Sequence, residues 1–181
     1  MNVIDTPLSG VKIVTPKVFP DARGFFVETH QFSRYAAAGI DVEFVQDNHS
    51  RSVRGILRGL HYQSTPGQAK LVRAATGRIY DVAVDIRPAS TTFGKHFGCF
   101  LDDAQHQQLF VPVGFAHGFC VVSETADVCY KVSSPYDAKS ECSLRFDDPD
   151  LAINWPVENP LVSDRDRNAE SFADYVKRVA R

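Results

Sequence analysis

The 181-residue sequence has no long apolar run. Nothing in it approaches the ~20 consecutive apolar residues that a membrane-spanning helix needs. Its opening, MNVIDTPLSG, lacks the charged and apolar regions of a secretory signal, so a cytoplasmic location is expected. Neither sign of charge is in excess: 20 Lys and Arg face 22 Asp and Glu, for a net charge of −2. That balance removes any general electrostatic case for nucleic acid or an anionic membrane, and leaves an anionic ligand to a local basic pocket. The cysteines Cys99, Cys120, Cys129 and Cys142 form no CxxC pair and no Cys/His cluster of zinc spacing. The first three lie in apolar, strand-like runs and read as reduced core residues of a reducing compartment. No Gly-rich dinucleotide motif is present. Internal repeats and low-complexity linkers are also missing, and residues 1–181 read as one domain.

What is there is a succession of short β-like runs separated by Gly, Pro, Asp and Ser. They are VKIV (11–14), GFFVETHQ (24–31), FVQDNHS (44–50), GILRGLHYQ (55–63), QAKLVRAA (68–75), RIYDVAVDIR (78–87), KHFGCFL (95–101), QLFVP (108–112), HGFCVVS (117–123) and ADVCYKVS (126–133). Strands spaced at about 8–12 residues predict a sandwich or barrel. In RIYDVAVDIR, Tyr80, Val82, Val84 and Ile86 share one face. Asp81, Ala83 and Asp85 share the other, and the two aspartates read as hydrogen-bonding groups of a barrel face. Two segments carry helical signals. FSRYAAAG (32–39) ends at Gly39, a good residue to close a helix. The tail AESFADYVKRVAR (169–181) places Phe172, Tyr175, Val176 and Val179 at helical spacing. The expected class is mainly β with a few peripheral helices.

Polar residues on apolar strand faces are the informative ones, because a buried charge or imidazole costs free energy unless it is paired. His61 shares parity with Leu57 and Gly59, Lys70 with Val72, His117 with Phe119 and Val121, and Tyr130 with Val128 and Val132. Four strands thus each point one ionisable or phenolic group toward one interior. Arg58 has the opposite parity to His61, so a bulge or a strand-end position is required if both reach one site. Taken singly, a strand histidine is as well explained by a satisfied hydrogen bond, a strand tyrosine by packing, and a lone lysine by a solvated edge. The concurrence of the four suggests a site without naming a reaction. A metal is not expected: Gln63 stands two after His61, so there is no HxH, and Lys70 would oppose a cation.

Seven segments in order then carry a resemblance. DARGFFVE (21–28), FVQDNHS (44–50), LRGLHYQ (57–63), QAKLVRAATGRIYDVAVDIR (68–87), VPVGFAHGF (111–119), VCYKVS (128–133) and LVSDRD (161–166) look like the dTDP-4-dehydrorhamnose 3,5-epimerases. PVGFAHGF is also similar to the second motif of the wider cupin superfamily, and the missing HxH matches the metal-free epimerase branch. The resemblance implies a cupin-type jelly-roll β-barrel or sandwich, a homodimer, a dTDP-linked 4-keto-6-deoxy sugar as ligand, and no cofactor.

By the same resemblance His61 is the base, Asp166 its acidic partner, Tyr130 the acid on the opposite face, and Lys70 the cation near the C4 oxygen. Arg23, Glu28, Gln46, Asp47, Asn48, Arg58, His117, Glu141 and Arg165 fall at substrate-binding positions. Phe26 and Tyr136 are aromatic positions near the nucleotide, with Tyr136 placed to stack on the thymine. The segment from Arg23 to Glu28 is expected to serve the partner subunit's site. His49 and Trp155 are expected to be structural. Readings that share these motifs are an epimerase acting at one carbon only and a non-catalytic sugar-nucleotide-binding cupin. A metal-dependent cupin oxygenase is a third.

Overall fold

Apolar residues alternating along short runs, with turn residues between them, give two stacked antiparallel sheets. The computed structural model describes residues 1–180. The six-stranded sheet runs in the order β1 (Asn2–Asp5), β2 (Lys12–Thr15), β10 (Gln108–Val111), β7 (Lys70–Thr76), β12 (Thr125–Val132) and β5 (Gln46–Val53). The five-stranded sheet runs β13 (Glu141–Ser143), β6 (Leu57–Gln63), β11 (Phe115–Val121), β8 (Arg78–Asp85) and β9 (His96–Asp102). A separate hairpin pairs β3 (Val18–Asp21) with β4 (Gly24–Val27). Three short helices accompany them: α1 (Phe32–Ala37), α2 (Asp164–Arg167) and α3 (Phe172–Val179).

Between the sheets, Val72 and Ala74 of β7, Leu109 of β10 and Val128 of β12 meet Ile79 and Ala83 of β8, Phe119 and Val121 of β11, and Leu101 of β9. Burying each large aliphatic side chain of this kind contributes about 1.5–3 kcal/mol. Outside the five-stranded sheet, Phe172 and Tyr175 of α3 cover Leu60, Tyr62, Val82 and Val84. This is why RIYDVAVDIR is apolar on both faces apart from Asp81 and Asp85. Outside the six-stranded sheet, Tyr35 and Ile40 pack on Val14, Leu71 and Phe110.

α1 stops at Ala37, and Gly39 (φ +82°) closes it: the N–H of Gly39 bonds to the Ala36 carbonyl and that of Ile40 to the Tyr35 carbonyl. The tail helix is shorter than the sequence pattern suggests. Ser171 caps it by accepting from the Asp174 N–H, and Glu170 instead pairs with Leu144 in a β-bridge. Residue 181, the end of the expected helix, lies outside the described residues. GFFVETHQ is a strand only at its start, where hairpin pairing ends at Val27, and the strand expected at 44–50 begins at Gln46 and continues to Val53.

The Arg58–His61 parity conflict is resolved by a bulge. On β11, His117 pairs with His61 and Phe119 with Arg58, so two steps on β11 oppose three on β6. The extra residue falls at Gly59–Leu60 and brings Arg58 and His61 to the same side. The strands close in so tightly there that a Cβ on Gly59 would lie 2.5 Å from the Gly118 Cα. Both positions therefore need glycine.

Candidate active site

β6 and β11 of one sheet face β7, β12 and β5 of the other across a polar cleft. His61 lines each of three adjoining cavities of about 230, 210 and 410 Å³. Tyr130, Lys70 and Glu141 line the first two with it.

His61 donates from Nε2 to Oδ1 of Asp166 at 2.6 Å, which leaves Nδ1 as its free ring nitrogen. Asp166 is almost wholly buried on α2. The hydroxyl of Ser163, the N-cap of that single helical turn, accepts the Asp166 N–H and so sets where the carboxylate points. Burial disfavours charge on Asp166, but the hydrogen bonds from His61 and from the Gly59 N–H outweigh it and hold the carboxyl below its usual range.

Lys70 is 7% exposed and lies beside His61, its Nζ donating to the His61 carbonyl at 3.3 Å. Burial drives its pKa down to about 8, with Glu141 and Asp81 partly opposing the shift. Tyr130 enters from β12, opposite Val72 of β7 and Asn48 of β5. Burial first, and the Glu141 carboxylate second, raise its pKa against the effect of Arg58, so the phenol stays protonated at neutral pH.

Arg58 is held by Ser52, whose hydroxyl accepts from Nε and Nη2 at 3.1 Å each. Gln46 and Asn48 lie on the inward side of β5, bonded to each other at 2.8 Å. Tyr136, Glu141 and Arg165 meet at the mouth of the cleft, where Arg165 donates to Glu141. Burial alone would raise the Glu141 pKa; bonds from Arg165 and Tyr136 lower it overall.

Not every expected residue reaches this cleft. Asp47 points to the outer face of β5 and bonds to Lys131 at 2.8 Å, because its parity is opposite to that of Gln46 and Asn48. Arg23 is bonded to Asp21 on the hairpin, Phe26 beside it is 68% exposed, and Glu28 pairs with Arg34 at 2.9 Å. Within one chain these three stand away from the cavity. His49 is paired with Asp127, and the Trp155 indole donates to the Phe146 carbonyl.

Asp81 is a hydrogen-bonding group of the barrel face, as expected, and its partner is His117. It is fully buried, and both its oxygens lie within 3.0 Å of His117 Nε2. The signal was present in its inward parity among apolar neighbours. Asp85 is structural, bonded by Arg87, Ser90 and Thr92. Among the described residues no three His, Cys, Asp or Glu side chains converge as a metal site.

The sequence model of the dTDP-4-dehydrorhamnose 3,5-epimerases matches residues 5–174. The chain belongs to this family. It is similar to the dTDP-4-dehydrorhamnose 3,5-epimerase of Shigella flexneri, 51% identical over 176 residues, covering 96% of this chain and 97% of that protein. Among solved structures it resembles the Legionella pneumophila dTDP-6-deoxy-D-glucose-3,5-epimerase in complex with dTDP-4-keto-L-rhamnose. That match has a TM-score of 0.92 and 46% identity, covering 96% of this chain and 93% of the other. A dTDP-4-dehydrorhamnose 3-epimerase of Streptomyces niveus is 40% identical over 169 residues, 92% of this chain and 82% of that protein. Membership makes the chain an isomerase, and the expected cupin-type sandwich is the fold found.

Proposed function

We propose that this chain converts dTDP-4-dehydro-6-deoxy-D-glucose to dTDP-4-dehydro-L-rhamnose, with His61 as base and Tyr130 as acid. Each hydrogen at C3 and C5 is α to the C4 carbonyl. Nδ1 of His61 takes the proton, the C–H electrons move into the ring as the C4 oxygen becomes an enolate, and Tyr130 returns a proton to the other face. Asp166 stabilises the imidazolium that forms, and Lys70 stabilises the charge on the enolate oxygen. No net oxidation occurs. The observation that carries the reading is that His61 and Tyr130 line one cavity from opposite sheets.

Arg58 and Arg165 suit a diphosphate, since a guanidinium offers a planar fork of donors. Gln46, Asn48 and Glu141 suit the base and sugar, with Tyr136 as the stacking face. A homodimer in the cytoplasm completes the reading: the exposed hairpin bearing Arg23 and Phe26, with Glu28 just beyond it, reaches the partner's cleft. Sedimentation of the purified protein, and loss of activity on truncating those side chains, test that part.

Turnover in D₂O read by NMR tests the reaction. Deuterium at both C3 and C5 is expected. Deuterium at C3 alone would favour the single-carbon reading that the Streptomyces niveus relative keeps open. Tight binding without any exchange would make the chain a binding protein.

A further inference from the structure

The scheme above leaves the His117–Asp81 pair without a chemical task. Oδ1 and Oδ2 of Asp81 lie 2.9 and 3.0 Å from the same ring nitrogen, Nε2 of His117. An ionised carboxylate only accepts, so Nε2 carries the hydrogen and Nδ1 is the free nitrogen. Asp81 has no exposed surface, and its inward neighbours Ile79 and Ala83 are buried apolar residues, so its charge depends on that bond.

His117 lines the 210 Å³ cavity with Arg58, Lys70 and Tyr130. Arg58 and Lys70 can only donate hydrogen bonds, and Tyr130 as the acid donates too. Glu141 is already engaged by Arg165. A hexose bound there presents hydroxyl hydrogens as well as oxygens; in the proposed scheme Nδ1 of His61 is taken up by the reacting proton and Ser50 offers a single hydroxyl oxygen, so this wall has use for a further acceptor. With its hydrogen on Nε2, His117 supplies one at Nδ1.

We propose that Asp81 is a positioning residue that fixes His117 as the Nε2–H tautomer, so that Nδ1 accepts a hydrogen bond from a hydroxyl of the bound hexose. This rests on the epimerase reading and deepens it. His117 holds a part of the sugar that does not react, so the bond is made equally in the ground and transition states. Its loss raises KM and leaves kcat nearly unchanged.

Nitrogen-15 NMR of the histidine rings in the full-length protein tests the tautomer, with the His117 signals assigned by their loss in His117→Gln. The wild-type ring is expected to carry its hydrogen on Nε2. In Asp81→Ala the two tautomers should mix, and KM for dTDP-4-dehydro-6-deoxy-D-glucose should rise about tenfold, with kcat nearly unchanged. Asp81→Asn puts an NH2 donor beside Nε2 in place of one acceptor oxygen, so it should loosen the tautomer and give a KM between those of wild type and Asp81→Ala. A wild-type His117 with its hydrogen on Nδ1 overturns the proposal, and needs no variant that must fold. So does an unchanged KM in folded Asp81→Ala, or a loss confined to kcat. Wild-type protein that exchanges no sugar hydrogen with solvent overturns the epimerase reading instead, and the ring measurement then decides on Asp81 alone.

Discussion

His61 and His117 stand directly opposite each other across the β6–β11 ladder, and each donates from Nε2 to a buried carboxylate. Two matched pairs thus sit side by side, but they differ in access. The His61 side chain is 28% exposed and the His117 side chain 7%. The more open imidazole is the one suited to trade protons with solvent after each turnover, and the closed one is suited to hold.

Replacing the proposed base should therefore remove chemistry without removing the fold. For His61→Ala we expect no measurable turnover and no C–H exchange, with an unchanged circular dichroism spectrum. Asp166→Asn should keep the ring in place and still lower kcat by roughly 10³–10⁴-fold, the scale seen when a histidine loses its carboxylate partner. Retained turnover in either variant would remove that residue from the mechanism.

Tyr130→Phe separates abstraction from reprotonation. Net epimerisation should fall by roughly 10²–10⁴-fold, while deuterium washes in from the His61 side with retention of configuration. NMR of the recovered sugar reads both at once. Unchanged epimerisation would rule Tyr130 out as the essential acid.

Lys70 gives a pH dependence with a definite sign. Its folded pKa is lowered from 10.5 to about 8 by burial. The unfolded chain therefore binds more protons between those values, and stability should rise with pH across that window. If Lys70 has its proposed role at the enolate oxygen, activity should do the opposite, because that charge is lost above about pH 8. Chemical denaturation and kcat measured from pH 7 to 10 check the two trends. Lys70→Met should abolish activity yet leave the protein as stable or more so at neutral pH, since it removes a buried cation.

Gly118→Ala should damage the site from behind. The added methyl would meet the Arg58 carbonyl at 2.9 Å and the Gly59 Cα at 3.1 Å, both backbone. Overpacking of this kind costs about 1–3 kcal/mol. Part of the strain should appear as displacement of Arg58 and His61, read as a fall in kcat/KM larger than the loss of melting temperature alone would cause.

Much of this is legible in the sequence itself. Alternation in RIYDVAVDIR placed Val82 and Val84 on one face and Asp81 on the other, and both placements hold. Inward parity picks out Lys70, His117 and Tyr130, which share one cavity with His61; His61 itself faces it beside Arg58 because the bulge breaks the parity it would share with Leu57. What parity could not supply was the partner of each: His61 and Asp166 are 105 residues apart, and no periodic signal links them. α2 is a single turn, too short to show a helical period. Asp47 illustrates the reverse limit. The resemblance named all of Gln46, Asp47 and Asn48, but a strand that pairs along its length turns the middle one outward.

The extra residue in β6 acts as a phase slip in the strand. Upstream of it, alternation counts from Arg58; downstream it counts from His61, and the two halves of the strand are out of step. Deleting Gly59 or Leu60 would close the slip and reverse every side chain on one side of it. Tyr62, now packed against Tyr175, would turn into the cleft and His61 would turn out under α3. The chain would keep all of its site residues and nearly all of its sheet, yet the proposed base would be on the wrong side of the wall. An insertion of one residue, invisible in any list of conserved chemistry, is thus as necessary to the site as the histidine it aims.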